Sequence, residues 1–345
     1  MKKNVLKTLL WSAVALLLLY LCFRNVDWKQ FGQALRTCRW GWVVLCMLAG
    51  LLANWIRGER WRMLLHPIDP SIRWIDTFNA FNISLAANIA VSHVSLLIRC
   101  GFVIRHSERD ADGRRRLGMD KTLGTVLTDQ ACDSVGSLLV VAGILLFLRG
   151  RFGSFFAGLF SGIDLHAWPF WAVLAGVVLV VGFLLWKLLR SGKRSGWVER
   201  VRQFFRGACQ GIATIAHLRR GWLFVLLTAL IWVIFWFQSY AIMLALQDMP
   251  EFAGMGPTDA LFIMVLGTLS SIIPVPGGFG AYHGIVSGAF LAVYGIPFPV
   301  GMIFATLAHE SWTIAPAVYG LASYLHETCF RKTPSAPATP SLPQS

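Results

Sequence analysis

Residues Pro274-Val275-Pro276-Gly277-Gly278-Phe279-Gly280-Ala281-Tyr282-His283 cut a long apolar stretch in two. Residues 260–267 before the cut and 284–295 after it are almost wholly apolar. Prolines and glycines at such a place leave backbone N–H and C=O groups without helical partners. Hydrocarbon cannot hydrate those groups, so broken backbone at membrane depth persists only inside protein or beside a wet cavity. The tyrosine and histidine that follow supply polar side chains at the same point. The expectation is a polar pocket built from broken helices within a membrane.

Composition fits that medium. Hydrophobic residues make up 56% of the chain and charged residues 14%, against about 25% charged in an ordinary soluble domain. Fifteen tryptophans and 24 phenylalanines suit lipid-facing helices and interfacial belts. A crossing helix needs ~20 mostly apolar residues, and candidates lie at 9–23, 42–56, 123–148, 168–189, 222–246 and 300–325. The net charge of +14 sits in loops beside these segments, the pattern of topology signals and headgroup contacts, so no nucleic-acid partner is expected. Seven cysteines form no CxxC pair, which indicates neither a disulfide framework nor a zinc site. No small-x-small cleavage site follows the first apolar run, which reads as an uncleaved span.

Loop charge gives a topology. Lys2, Lys3 and Lys7 place the amino terminus in the cytoplasm, and an amphipathic connector at 27–38 follows the first span. The second span returns to a basic loop containing Arg57, Arg60, Arg62 and Arg73. Residues 75–98 are then bounded on both sides by basic clusters, so a full crossing would put one of them outside. A re-entrant hairpin avoids this, and Asn79, Asn82, Ser84, Asn88, Ser92, His93 and Ser95 are too many polar groups for a lipid-facing span. An ordinary span with its polar face turned into the bundle is the other reading. The glycine-broken segment 258–296 gives a second hairpin, entering from the opposite face. The fold class expected is an all-α polytopic membrane bundle of about six full spans plus two re-entrant hairpins, arranged as an inverted repeat. It covers residues 1–330, with a disordered proline-rich cytoplasmic tail at 331–345.

Ionisable residues within apolar segments mark candidate function. Asp129 and Asp133 lie four apart on one helix face and repel unless a cation sits between them, for which Arg99 is a candidate. His283 beside Tyr282, and His309 with Glu310, are groups that can titrate near neutral pH. His309-Glu310 opens like a zincin, but Thr313 replaces the second histidine, so no metal site is expected. No dinucleotide loop, Walker sequence or nucleophile elbow is present, and no cofactor is expected.

The proline–glycine run with Tyr282-His283, Tyr294-Gly295 and His309, the segment from Arg57 to Leu65, and Arg99-Cys100 together resemble the flippase-like family typified by the transmembrane region of lysylphosphatidylglycerol synthase. The resemblance covers about residues 5–328. It implies a multi-pass bacterial inner-membrane protein that moves or presents polar lipids, and the soluble aminoacyl-transfer half of the synthase is expected to be missing here. It also implies departures: Leu96 and Gln130 stand where relatives carry a glutamate and an arginine, and His283 where a glutamate is common.

These readings converge on a carrier of a polar or glycosylated lipid. Its expected site comprises Arg99, Asp129, Asp133, Gly277, Gly278, Gly280, Tyr282, His283, His309 and Glu310, with Arg99 and the hairpin amides holding an anionic headgroup. One alternative is a membrane-embedded transferase using a lipid-linked donor, for which the external loops offer only Asp164, His166, Asp248, Glu251 and Asp259. Another is an accessory subunit that presents lipid to a separate lipid-modifying enzyme.

Overall fold

The computed structural model describes residues 2–24, 26–90, 94–148, 150, 152–153, 218, 220–270, 273 and 275–330. Ten α-helices lie among them: α1 (Lys2–Phe23), α2 (Trp28–Thr37), α3 (Trp40–Leu65), α4 (Trp74–Ala90), α5 (Ser95–His106), α6 (Met119–Phe147), α7 (Gly221–Ala245), α8 (Pro257–Leu269), α9 (Ala281–Tyr294) and α10 (Phe298–Leu325). The described residues contain no β-strand. The expected span at 168–189, the basic stretch after it, Asp164, His166, Ser92, His93, Pro274 and the tail all lie outside the described residues.

Three of the helices, α3, α6 and α7, are long and apolar enough to cross a membrane. The segments expected at 123–148, 222–246 and 300–325 coincide closely with α6, α7 and α10. The connector at 27–38 is α2, whose start is capped by the Asp27 carboxylate accepting from the backbone N–H of Lys29 and Gln30.

One boundary differs with consequence. The sequence ends the second span at residue 56 and puts Arg57, Arg60 and Arg62 in a loop, whereas α3 runs on to Leu65 and Arg60 is buried completely. Charge in a buried helix is tolerable where partners neutralise it, and α6 supplies them.

The two segments read as hairpins are each a pair of short helices. At 1.5 Å per residue α4, α5, α8 and α9 are roughly 18–26 Å long, short of the ~30 Å hydrocarbon core. Each pair closes at its base. Before α4, the Asp69 carboxylate accepts from the Ser107 hydroxyl and from the Glu108 backbone N–H (3.2 Å), both just after α5. In the second pair the Tyr294 hydroxyl, the last residue of α9, donates to Asp259 in the first turn of α8 at 2.8 Å. Asp259, expected in an external loop, is therefore a buried residue of a helix start.

Helices from the two halves interleave. α3 packs most heavily on α7, and α4 on α10. The latter crossing is very close, since a Cβ on Gly320 would lie 2.3 Å from the Ala86 Cβ. Small residues allow such backbone approach where lipid gives little hydrophobic drive. The polar residues of α4 face inward at the same crossing: Asn54 donates to Asn82 (3.0 Å), and Asn82 to Ser323 (3.2 Å).

Candidate functional site

Two polar centres flank the middle of the bundle. The first is a cluster of charge. Arg57 and Arg60 lie three apart on α3 and so share a face, as do Asp129 and Asp133 on α6. Arg60 sits between the carboxylates, its Nη2 2.7 Å from Asp129 and 2.6 Å from Asp133, and its Nη1 donates to Thr228 of α7 at 3.1 Å. Arg99 of α5 donates to the other oxygen of Asp129 at 3.2 Å, and Arg57 to Asp133 at 3.3 Å. The Arg99 guanidinium also lies over the rings of Phe81 (3.7 Å) and Trp61 (4.4 Å), a placement in which the ring quadrupoles favour the cation. The cation needed between the two aspartates is thus chiefly Arg60, with Arg99 on the far side of Asp129. Three guanidiniums face two carboxylates, so the cluster carries one positive charge in excess.

The second centre is the break between α8 and α9. Gly277, Gly278 and Gly280 have φ of +61°, +76° and +78°, conformations that side-chained residues rarely adopt. At Gly280 a Cβ would also lie 2.5 Å from the Leu18 Cβ and 2.9 Å from the Leu19 backbone nitrogen of α1. The turn is pinned by α10: His309 Nε2 donates to the Gly277 carbonyl at 2.9 Å. That assigns the proton to Nε2 and leaves Nδ1 3.3 Å from a Glu310 carboxylate oxygen. The His283 ring lies 4.8 Å from that of His309. Both His283 ring nitrogens and the Tyr282 hydroxyl are buried without a hydrogen-bond partner.

Two adjoining cavities lie between the centres and share Leu85, Gly267, Trp312 and Pro316 in their walls. One, of about 290 Å³, is lined among others by Arg57, Asn54 and Gln238. The other, of about 380 Å³, is lined among others by Gly277, Gly278, Tyr282, His309 and Asn88. Of the residues picked from sequence, Gly277, Gly278, Tyr282 and His309 therefore face a cavity. Arg99, Asp129 and Asp133 form the charge cluster that reaches the first cavity through Arg57. Gly280, His283 and Glu310 do not line either cavity.

Arg57 and Arg60 are the functional candidates the sequence reading missed. A readable signal existed: two arginines three apart and two aspartates four apart make matching helical faces, provided α3 is allowed to continue past residue 56.

Helices of this length and apolarity, folded around buried charge and an internal cavity, define a multi-pass membrane protein. The chain belongs to the family of the lysylphosphatidylglycerol synthase transmembrane region, whose family model matches residues 8–320. No curated protein and no solved structure matches it. The family places the protein among membrane proteins linked to lipid metabolism or transport.

Proposed function

We propose that this protein is a flippase-like carrier of the bacterial inner membrane that binds an anionic lipid headgroup between its two helical hairpins and passes it across the bilayer. In this reading α4–α5 dips in from the cytoplasmic face and α8–α9 from the opposite face, as an inverted repeat, with both termini cytoplasmic. The short helices and closed bases of the two pairs support it.

The observation that carries the reading is the unmatched charge. Arg57 lines a cavity, and its Nε is buried with no hydrogen-bond partner. A guanidinium in that condition suits a phosphate oxygen, to which it donates charge-assisted bonds. Asp133 holds Arg57 in place, and Gly277 and Gly278 line the adjoining space.

The test uses proteoliposomes with fluorescent phosphatidylglycerol or phosphatidylcholine and a membrane-impermeant quencher. Protein-dependent movement of the anionic lipid is expected, slowed at least tenfold in Arg57→Gln. Movement no faster than in protein-free vesicles, or a wild-type rate in Arg57→Gln, overturns the carrier reading. Conversion of the labelled lipid into a new species on chromatography would mark a transferase instead.

A further inference from the structure

We propose that His283, His309 and Glu310 form a binding site for one divalent transition-metal ion, of which Zn²⁺ fits the donors best. One ligand atom from each residue lies within 4.8 Å of the other two. The ligands come from two elements, the first turn of α9 and the middle of α10, which the helix break brings together. This is why the linear spacing after His309 gives no zinc motif: the third ligand is supplied from 26 residues upstream, not from the position of Thr313. Two imidazoles and one carboxylate are a known zinc donor set, and one that leaves a coordination position open.

Three observations converge on an ion. His283 is 1% exposed, and neither ring nitrogen has a partner. A neutral imidazole carries one donor and one acceptor, so this burial is costly unless something fills the gap. Next, His309 gives its Nε2 proton to the Gly277 carbonyl. Metal-binding histidines commonly donate their second ring N–H to a carbonyl in this way, which fixes the tautomer and aims the other nitrogen at the ion. Finally, that other nitrogen, Nδ1, stands 3.3 Å from a Glu310 oxygen. A lone pair and a carboxylate at that range repel, and a cation between them removes the conflict. A proton on Nδ1 would also relieve His309, yet it leaves His283 unanswered; a metal ion takes up one nitrogen of His283 together with the His309 lone pair and the Glu310 carboxylate.

The fit asks for a small adjustment. Bonds of about 2.0–2.1 Å to a tetrahedral ion put ligand atoms roughly 3.4 Å apart, so the side chains must close inward. Glu310 is partly exposed and has the freedom to do so. Because His309 also lines the larger cavity, the ion would lie at its edge. The proposal does not rest on lipid transport, since binding is measured on the protein alone.

The experiment uses the full chain in detergent, purified without a histidine tag, stripped with chelator and titrated with Co²⁺ and then Zn²⁺. One Co²⁺ per chain is expected, with the visible absorption of a four- or five-coordinate site and displacement by Zn²⁺. His283→Asn and Glu310→Gln should each weaken binding at least tenfold with an unchanged gel-filtration profile, while His106→Asn should not. No saturable binding by the wild type, or undiminished binding in both variants, overturns the proposal. Should the variants aggregate, Cu²⁺-loaded wild type decides by electron paramagnetic resonance: two coordinated imidazole nitrogens are expected, and fewer than two overturn the assignment.

Discussion

Helices α4 and α8 both begin with an aspartate at the third position whose carboxylate accepts the backbone N–H three residues earlier, Arg73 to Asp76 at 2.8 Å and Gly256 to Asp259 at 2.8 Å. Past that shared first turn the two hairpins diverge. The α4–α5 pair handles its polarity with side chains: Arg99 reaches Asp129, and Asn82 is bonded on both sides. The α8–α9 pair has no charged residue between Asp259 and His283, and it bends through three glycines of positive φ. One hairpin therefore contributes charge to the centre of the bundle, and the other contributes a glycine turn whose polar atoms are met by neighbouring backbone and by His309. Under the proposed function the charged hairpin supplies the attraction for an anion, and the glycine turn shapes the adjoining wall.

The broadest test of the pairing is topological and gives an all-or-none result. On a cysteine-free background, single cysteines at Pro70 and Asp112 should label from the cytoplasmic face, and cysteines at Gly254 and Pro297 from the other. Labelling of Pro70 and Asp112 from opposite faces would make α4–α5 a crossing and dissolve the comparison.

Next in size is Arg60→Met. Removing one partner from a buried ion cluster leaves carboxylates uncompensated and costs roughly 3–5 kcal/mol. The expected outcome is a large fall in thermal stability on fluorescence-detected gel filtration, and a variant as stable as wild type would mean Arg57 and Arg99 suffice. In the other hairpin, Gly280→Val should cost about 2–4 kcal/mol, from the left-handed backbone and from overpacking against α1. Valine at Leu97, an exposed residue of α5, should be tolerated. Equal losses at both positions would show that the first hairpin is as tightly constrained as the second.

How far the sequence foretold this arrangement depends on the residue. The break at 274–283 was legible because proline and glycine act through their own backbones, and the three glycines do hold positive φ. Helix positions were legible from apolar length. The role of Arg57 and Arg60 was legible only through their spacing against Asp129 and Asp133; taken singly it was not, because a basic residue near a span end has the same local signature whether it faces water or a carboxylate 69 residues away. Nor was the meeting of His283 with His309, since only the break in the backbone turns α9 so that its first residues face α10. The aspartates at the two hairpin starts were visible letters, but their equivalence shows only in the hydrogen bonds they accept.

The smallest effect expected concerns acid. Burial pushes the Asp69 carboxyl up, but hydrogen bonds from Ser107, Ser71 and the Glu108 backbone outweigh it and hold the group below the usual carboxylate value. A depressed folded-state value means the stabilisation is full above the unfolded value near pH 4 and is lost as pH falls through the lower folded value. Hydrogen exchange at residues 107 and 108 should therefore rise only under strongly acid conditions. In Asp69→Asn it should be raised already at neutral pH and lose that acid step. A wild type without the step would show that Asp69 does not hold the base closed.

The arginines of α3 also set an order of events during synthesis. Arg60 emerges 69 residues before Asp129, an interval on the order of ten seconds at ordinary elongation rates. Until α6 arrives, the carboxyl-terminal part of α3 carries cations with no carboxylate from α6 beside them. Such side chains are expensive in hydrocarbon and reach toward the headgroups when they can. Burying the last turns of α3 before α6 is in place would therefore be costly, and pairing with Asp129 and Asp133 offsets that cost. The ion cluster thus ties the burial of the end of α3 to the arrival of α6.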